Sequence, residues 1–89
     1  KRFVVVLDER GKNLKTEEFA KLIEDKLSLD KELIFVVGGP EGLSEGLKNK
    51  GDFILSLSTF TLNHELTLLV LAEALYRALS LIKGHPYHR

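Results

Sequence analysis

Short apolar, β-branched-rich runs alternate along the chain with segments whose apolar positions recur at helical spacing. The first run, 3–7, is followed by the turn-forming stretch Asp8-Glu9-Arg10-Gly11-Lys12-Asn13, which predicts a buried strand over 3–7 and a turn over 8–13. Beyond it, Phe19, Ala20, Leu22, Ile23 and Leu27 share one helical face. Thr16 is placed to act as N-cap, with Glu17 and Glu18 in the first turn. A second continuous run, 32–37, stops at Gly38-Gly39-Pro40-Glu41-Gly42 and reads as strand then loop. Ser44 can cap a short helix through about Lys50. Gly51-Asp52 then breaks the chain, 53–57 forms a third strand, and 58–63 is a loop. From His64 to position 82 almost every residue is apolar and helix-favouring, interrupted only by Glu65, Thr67, Glu73, Tyr76, Arg77 and Ser80. Such a helix has to be covered on most sides.

Strands alternating with helices define an α/β domain, a parallel sheet with right-handed crossovers and helices on its faces. In open sheets of this kind ligands bind beyond the carboxyl ends of the strands. Three loops leave strand ends here, beginning at Asp8, Gly38 and Ser58, and they are the expected site by geometry alone. The apolar helix over 64–82 competes with a membrane span. Two charges near its middle and the lack of flanking basic and aromatic anchors favour a core-plus-subunit-interface reading instead.

Composition narrows the function classes. The chain has 89 residues, 44% hydrophobic and 29% charged, which suits one packed globular domain rather than a disordered segment. Thirteen basic side chains balance thirteen acidic ones, so any nucleic-acid contact has to come from a local patch. The absence of cysteine excludes disulfides and thiolate zinc sites and fits a cytoplasmic protein. Lys1 and Arg2 lead into an apolar run too short for the core of a signal sequence, so no signal peptide is expected.

Three glycines directly after the second strand allow positive φ and close approach of a ligand to the backbone, although the same turn can be purely structural. The spacing matches neither the dinucleotide G-x-G-x-x-G pattern nor a P-loop. Ser56, Ser58, Thr59 and Thr61 gather hydroxyls at the third strand end, where they can bond a ribose or a base edge, or simply cap and solvate a loop. The tail Lys83-Gly84-His85-Pro86-Tyr87-His88-Arg89 mixes basic groups with an aromatic and no acid, which suits RNA, while a frayed terminus is the plain alternative. His85 and His88 do not complete a metal shell. Glu73 and Arg77 stand four apart in the favourable order for a local ion pair. No G-x-S-x-G elbow or ordered triad supports hydrolysis.

Taken in order, Val-Val-Val-Leu-Asp (4–8), Gly-Gly-Pro-Glu-Gly-Leu (38–43), Leu-Ser-Leu-Ser-x-x-Thr-Leu (55–62), His64, Ala-Glu-Ala-Leu-Tyr-Arg-Ala (72–78) and His-Pro-Tyr-His-Arg (85–89) resemble the RlmH family over nearly the whole chain. That resemblance implies the SPOUT fold, in which the sheet is threaded into a trefoil knot that forms a pocket for S-adenosyl-L-methionine. It implies methylation of N3 of a pseudouridine in large-subunit ribosomal RNA, by a homodimer packed through the last helix. Leu7, Gly38, Leu57, Ser58, Thr59, Phe60, Thr61 and Leu62 would then surround the cofactor. His88 would serve as the base, and Arg77, Tyr87 and Arg89 would hold RNA. No metal and no membrane are implied.

Family members are usually longer, with an N-terminal segment before the strand at 3–7. Leu68 and Asn63 also stand where an Arg and a Pro are often found. These departures leave a second expectation open, a truncated or designed knotted scaffold that folds and dimerises without catalysis.

Overall fold

The computed structural model describes residues 1–38 and 44–84, leaving out the side chain of Leu47. Along the chain these form β1 (Arg2–Asn13), α1 (Thr16–Ser28), β2 (Glu32–Val37), α2 (Glu45–Lys48), β3 (Phe53–Ser56) and α3 (His64–Ile82). The three strands make one parallel sheet in the order β2-β1-β3. This is the expected α/β architecture, with β1 at its centre.

Alternation along β1 sends odd and even residues to opposite faces. Phe3, Val5 and Leu7 face α1 and α3 and form one core with Phe19, Ala20, Ile23, Leu55, Leu71 and Ala78. Phe19 meets Phe35 edge-on, with ring centroids 6.2 Å apart, and the Lys26 ammonium lies 4.5 Å from the centre of the Phe3 ring. On the other face, Val6 is fully buried. It sits beneath Gly51, where a Cβ would come within 2.5 Å of its Cγ2, so only glycine lets the turn after α2 lie this close to the sheet. Val4, Ile34 and Val36 share that face and are half-buried, while Ile54 is exposed. Among the described residues one face is therefore well covered and the other thinly.

Two expectations are corrected. The first strand does not end at Leu7. Leu7 pairs with Leu55, the next four residues leave the ladder, and Lys12 and Asn13 return to pair with Leu55 and Ser56. The turn residues at 8–11 thus form an excursion within a longer strand, a large-scale bulge. Its closing point is Gly11, where a Cβ would stand 2.6 Å from the Ile54 carbonyl oxygen. The Asn13 side-chain amide donates to the Ser56 carbonyl at 3.0 Å and fixes the return. The second correction concerns the N-cap of α1, which is Lys15, one residue before Thr16. The Glu18 carboxylate accepts the Lys15 backbone N–H at 2.7 Å, half of a capping-box arrangement in which the acid rather than a hydroxyl satisfies the helix start.

The short helix and third strand are each slightly shorter than their sequence pattern, at Glu45–Lys48 and Phe53–Ser56. The long helix has the expected limits. Its Asn63 N-cap accepts the Leu66 N–H at 2.8 Å. Leu71 and Ala78 enter the core, but Leu66, Leu68, Leu69, Tyr76 and Leu79 are exposed, so the covering that the sequence demands is incomplete within one chain. No described helix is long and apolar enough to cross a membrane.

Candidate functional site

The carboxyl ends of the three parallel strands meet at one edge of the sheet. Leu7 is flanked by Val37 and by Leu55, so the chain leaving each strand opens into a shared cleft of about 890 Å³. That volume falls in the usual range for a small-molecule or cofactor site, about 300–1,000 Å³. One wall is the β1 excursion with Lys48 of α2, and the other is the β3–α3 loop with the first turn of α3.

Most of the residues expected around a cofactor come together here. Leu7, Gly38, Leu57, Ser58, Phe60, Thr61 and Leu62 all line the cleft, whereas Thr59 belongs to the same loop without lining it. The loop is held by its own hydroxyls. Ser56 Oγ donates to the Ser58 carbonyl at 2.8 Å, and Ser58 Oγ accepts the Phe60 N–H at 2.9 Å. With its amide fixed, Phe60 projects at the rim, 79% exposed. The loop hydroxyls were open to a capping reading and a ligand reading. Ser56 and Ser58 are used locally, while the Thr61 side of the loop borders the cavity.

Two pairings that sequence reasoning did not anticipate frame the cleft. The first joins Asp8 to Lys48, with Lys48 Nζ 2.7 Å from Asp8 Oδ2 and both side chains nearly buried, at 11% and 12% exposure. Asp8 Oδ1 also accepts the Arg10 N–H at 2.9 Å. The Lys48 ammonium foremost, and then the Arg10 amide, hold the Asp8 carboxyl below its ordinary value of 3.8, against the opposing pull of burial. Glu45 and Arg10 extend this network at 3.6 to 3.8 Å on the exposed side. Asp8 read in sequence as a turn former, and nothing in the spacing tied it to Lys48. Its place directly after a buried strand end, and in the first block of the family resemblance, signalled the site.

The second pairing joins His64 to Gly38. The imidazole Nδ1 donates to the Gly38 carbonyl, which ties the end of β2 to the start of α3 across the cleft. His64 also lines the cavity. It stood out in the sequence only as one block of the family resemblance.

Arg77 lies on α3 away from the cleft, its Nε 3.0 Å from Glu73 Oε2 in the expected local pair. Tyr87, His88 and Arg89 lie outside the described residues, as does the glycine turn beyond Gly38. No group of three or more histidine, aspartate or glutamate side chains among the described residues is arranged to hold a metal ion.

A strand-end cleft of this kind on a three-stranded parallel sheet matches the class found by family comparison. Residues 1–88 match the family model described as predicted SPOUT methyltransferase, and the chain belongs to that family. Its relatives include proteins named ribosomal RNA large subunit methyltransferase H. That of Thermus thermophilus is 54% identical over 96% of this chain and 61% of the relative. That of Coprothermobacter proteolyticus is 49% identical over 98% and 63%. That of Thioalkalivibrio sulfidiphilus is 44% identical over 97% and 55%. The RlmH resemblance drawn from the motifs is borne out by these matches. The chain spans between 55% and 63% of the length of these three relatives.

Proposed function

We propose that this chain forms the cofactor-binding part of an S-adenosyl-L-methionine-dependent methyltransferase that acts on N3 of a pseudouridine in large-subunit ribosomal RNA, in the cytoplasm. The observation that carries the reading is the convergence of Leu7, Gly38 and the β3–α3 loop on one cleft of cofactor size, in a chain of the SPOUT family. The lining suits the group. Apolar Leu7, Leu57 and Leu62 can enclose an adenine, and the Thr61 hydroxyl and the Gly38 backbone can bond a ribose or base edge. When bound, the cofactor supplies an electrophilic methyl on a sulfonium centre.

The protein's part in such a displacement is mainly to position the reactants and exclude water. The His64–Gly38 hydrogen bond holds the two cofactor loops at a fixed separation. His88 is assigned as the base for the N3 proton, and Tyr87, Arg89 and Arg77 as RNA contacts, with Arg77 presented by α3. The threading of the SPOUT knot belongs to the same proposal. So does a homodimer packed through α3, supported by the exposed Leu66, Leu69, Tyr76 and Leu79 on a helix of otherwise apolar character.

Calorimetric titration with S-adenosylhomocysteine tests the reading, beside a Gly38→Trp variant that fills the cleft. Saturable binding that the variant abolishes is expected. A folded chain that binds no S-adenosylhomocysteine would establish the alternative, a scaffold that keeps the architecture without the chemistry.

A further inference from the structure

The nearly buried Asp8–Lys48 pair needs an explanation that packing does not provide. Drawing two charges even partly out of water is costly, and a buried pair is often no more stabilising than apolar side chains of similar size. This pair does not sit beneath the core. It sits in the wall of the cleft, on the residue immediately after the central strand and on the short helix that overhangs it.

Its charges also restrict what can bind beside it. An anion approaching Lys48 meets Asp8, and beyond it Glu45. A cation approaching Asp8 meets Lys48 and Arg10, which lie 2.7 and 3.7 Å from its carboxylate oxygens. A ligand group carrying both charges a few ångströms apart meets attraction at both ends. Hydrogen-bonding capacity remains for it. An ionised carboxylate has about four acceptor positions and an ammonium three donors. Among the described residues Asp8 takes hydrogens from the Arg10 amide and Lys48 and has the Arg10 guanidinium Nε 3.7 Å from its Oδ1, while Lys48 faces Asp8 and Glu45. On the opposite wall Leu57, Thr61 and Leu62 present apolar and hydroxyl surface that suits a nucleoside, with Asn63, His64 and Glu65 following at the start of α3.

We propose that Asp8 and Lys48 recognise the amino-acid end of the methyl donor, its α-ammonium on the Asp8 carboxylate and its α-carboxylate on the Lys48 ammonium. This rests on the cofactor reading of the cleft and assigns that reading's charged subsite. The nucleoside lies on the β3–α3 side, and the zwitterion orients the donor between the two walls.

The test compares S-adenosylhomocysteine with 5′-methylthioadenosine, which keeps the nucleoside and thioether but lacks the amino-acid end. Calorimetry on the unaltered chain is expected to show clear preference for S-adenosylhomocysteine. Asp8→Asn and Lys48→Met should each weaken S-adenosylhomocysteine by about tenfold or more and leave 5′-methylthioadenosine within about twofold. Lys48→Arg, which keeps the charge, should retain much of the preference. Because the readout is a ratio of two ligands within each variant, a general loss of affinity cancels, and the Lys48 variants suffice if Asp8→Asn does not fold. Equal weakening of both ligands would overturn the proposal and make the pair a structural support. Equal affinity of the two ligands for the unaltered chain would overturn it as well. Binding of neither ligand by the folded chain would overturn the cofactor reading itself, and this inference with it.

Discussion

The Nδ1 of His64, the first residue of α3, donates a hydrogen bond to the carbonyl of Gly38, the residue that follows β2. Because a carbonyl only accepts, the proton in this bond belongs to Nδ1. Two loops far apart in sequence are thereby held across one cleft. His64→Ala is expected to weaken S-adenosylhomocysteine binding by about tenfold, the equivalent of one lost hydrogen bond of ~1–1.5 kcal/mol. His64→Asn places an amide N–H near the position of Nδ1 and should recover most of the affinity, as calorimetry would register. An alanine variant that binds like the unaltered chain would remove His64 from the site.

The Asp8 carboxyl has a lowered pKa in the folded state, caused first by Lys48. A group whose pKa falls on folding stabilises the fold fully above its unfolded value and loses that contribution as pH drops to the folded one. The stability difference between the unaltered chain and Asp8→Asn should therefore hold steady from neutral pH to about pH 5. It should shrink on acidification through and below the ordinary value of 3.8. Urea midpoints collected across that range provide the check, and a difference that grows with acidification would contradict the assignment.

Gly11 and Gly46 make opposite predictions for the same substitution. A methyl on Gly11 would collide with the Ile54 backbone, so Gly11→Ala should cost about 1–3 kcal/mol, as overpacking does. Gly46 lies inside α2 with open space around its Cβ position, and Gly46→Ala should be neutral or stabilise by up to ~1 kcal/mol through helix propensity. Denaturant midpoints at constant slope separate the two outcomes.

Leu69 is 66% exposed on α3, beside Leu66 and Leu68. If this stripe packs against a second copy, Leu69→Lys should shift the chain from dimer to monomer in light scattering while the helical circular dichroism is kept. An unchanged mass would move the interface elsewhere.

Much of this architecture was legible in the residue pattern. Runs of β-branched residues closed by glycine or turn formers gave all three strands, and Asn63 and Ile82 bound the long helix where the apolar pattern starts and stops. Leu7, Gly38 and most of the loop after β3 could be placed at the site because parallel sheets gather their strand ends at one edge. The return of β1 to the ladder at Lys12 and Asn13 was not legible, since turn-forming residues carry no sign that their chain will rejoin the same partner strand. Lys15 as N-cap was missed because lysine is a poor cap, and the stabilising group came from Glu18. The Asp8–Lys48 pair is a tertiary contact between two unremarkable surface-type residues, and no local pattern encodes such a pairing.

The excursion in β1 has a further consequence. Leu55 is the register partner of both Leu7 and Lys12, so the ladder breaks off and resumes at the same β3 residue, with the register shifted across the four intervening positions. Alignment of the strands is set by the flanks, and the chemistry presented to the cleft is set by what lies between them, with Gly11 as the one position tied to its neighbour strand. Asp8, Glu9 and Arg10 thus reach the cleft from between two anchor points that share one β3 residue, so the strands around them are aligned without any ladder pairing at these three positions.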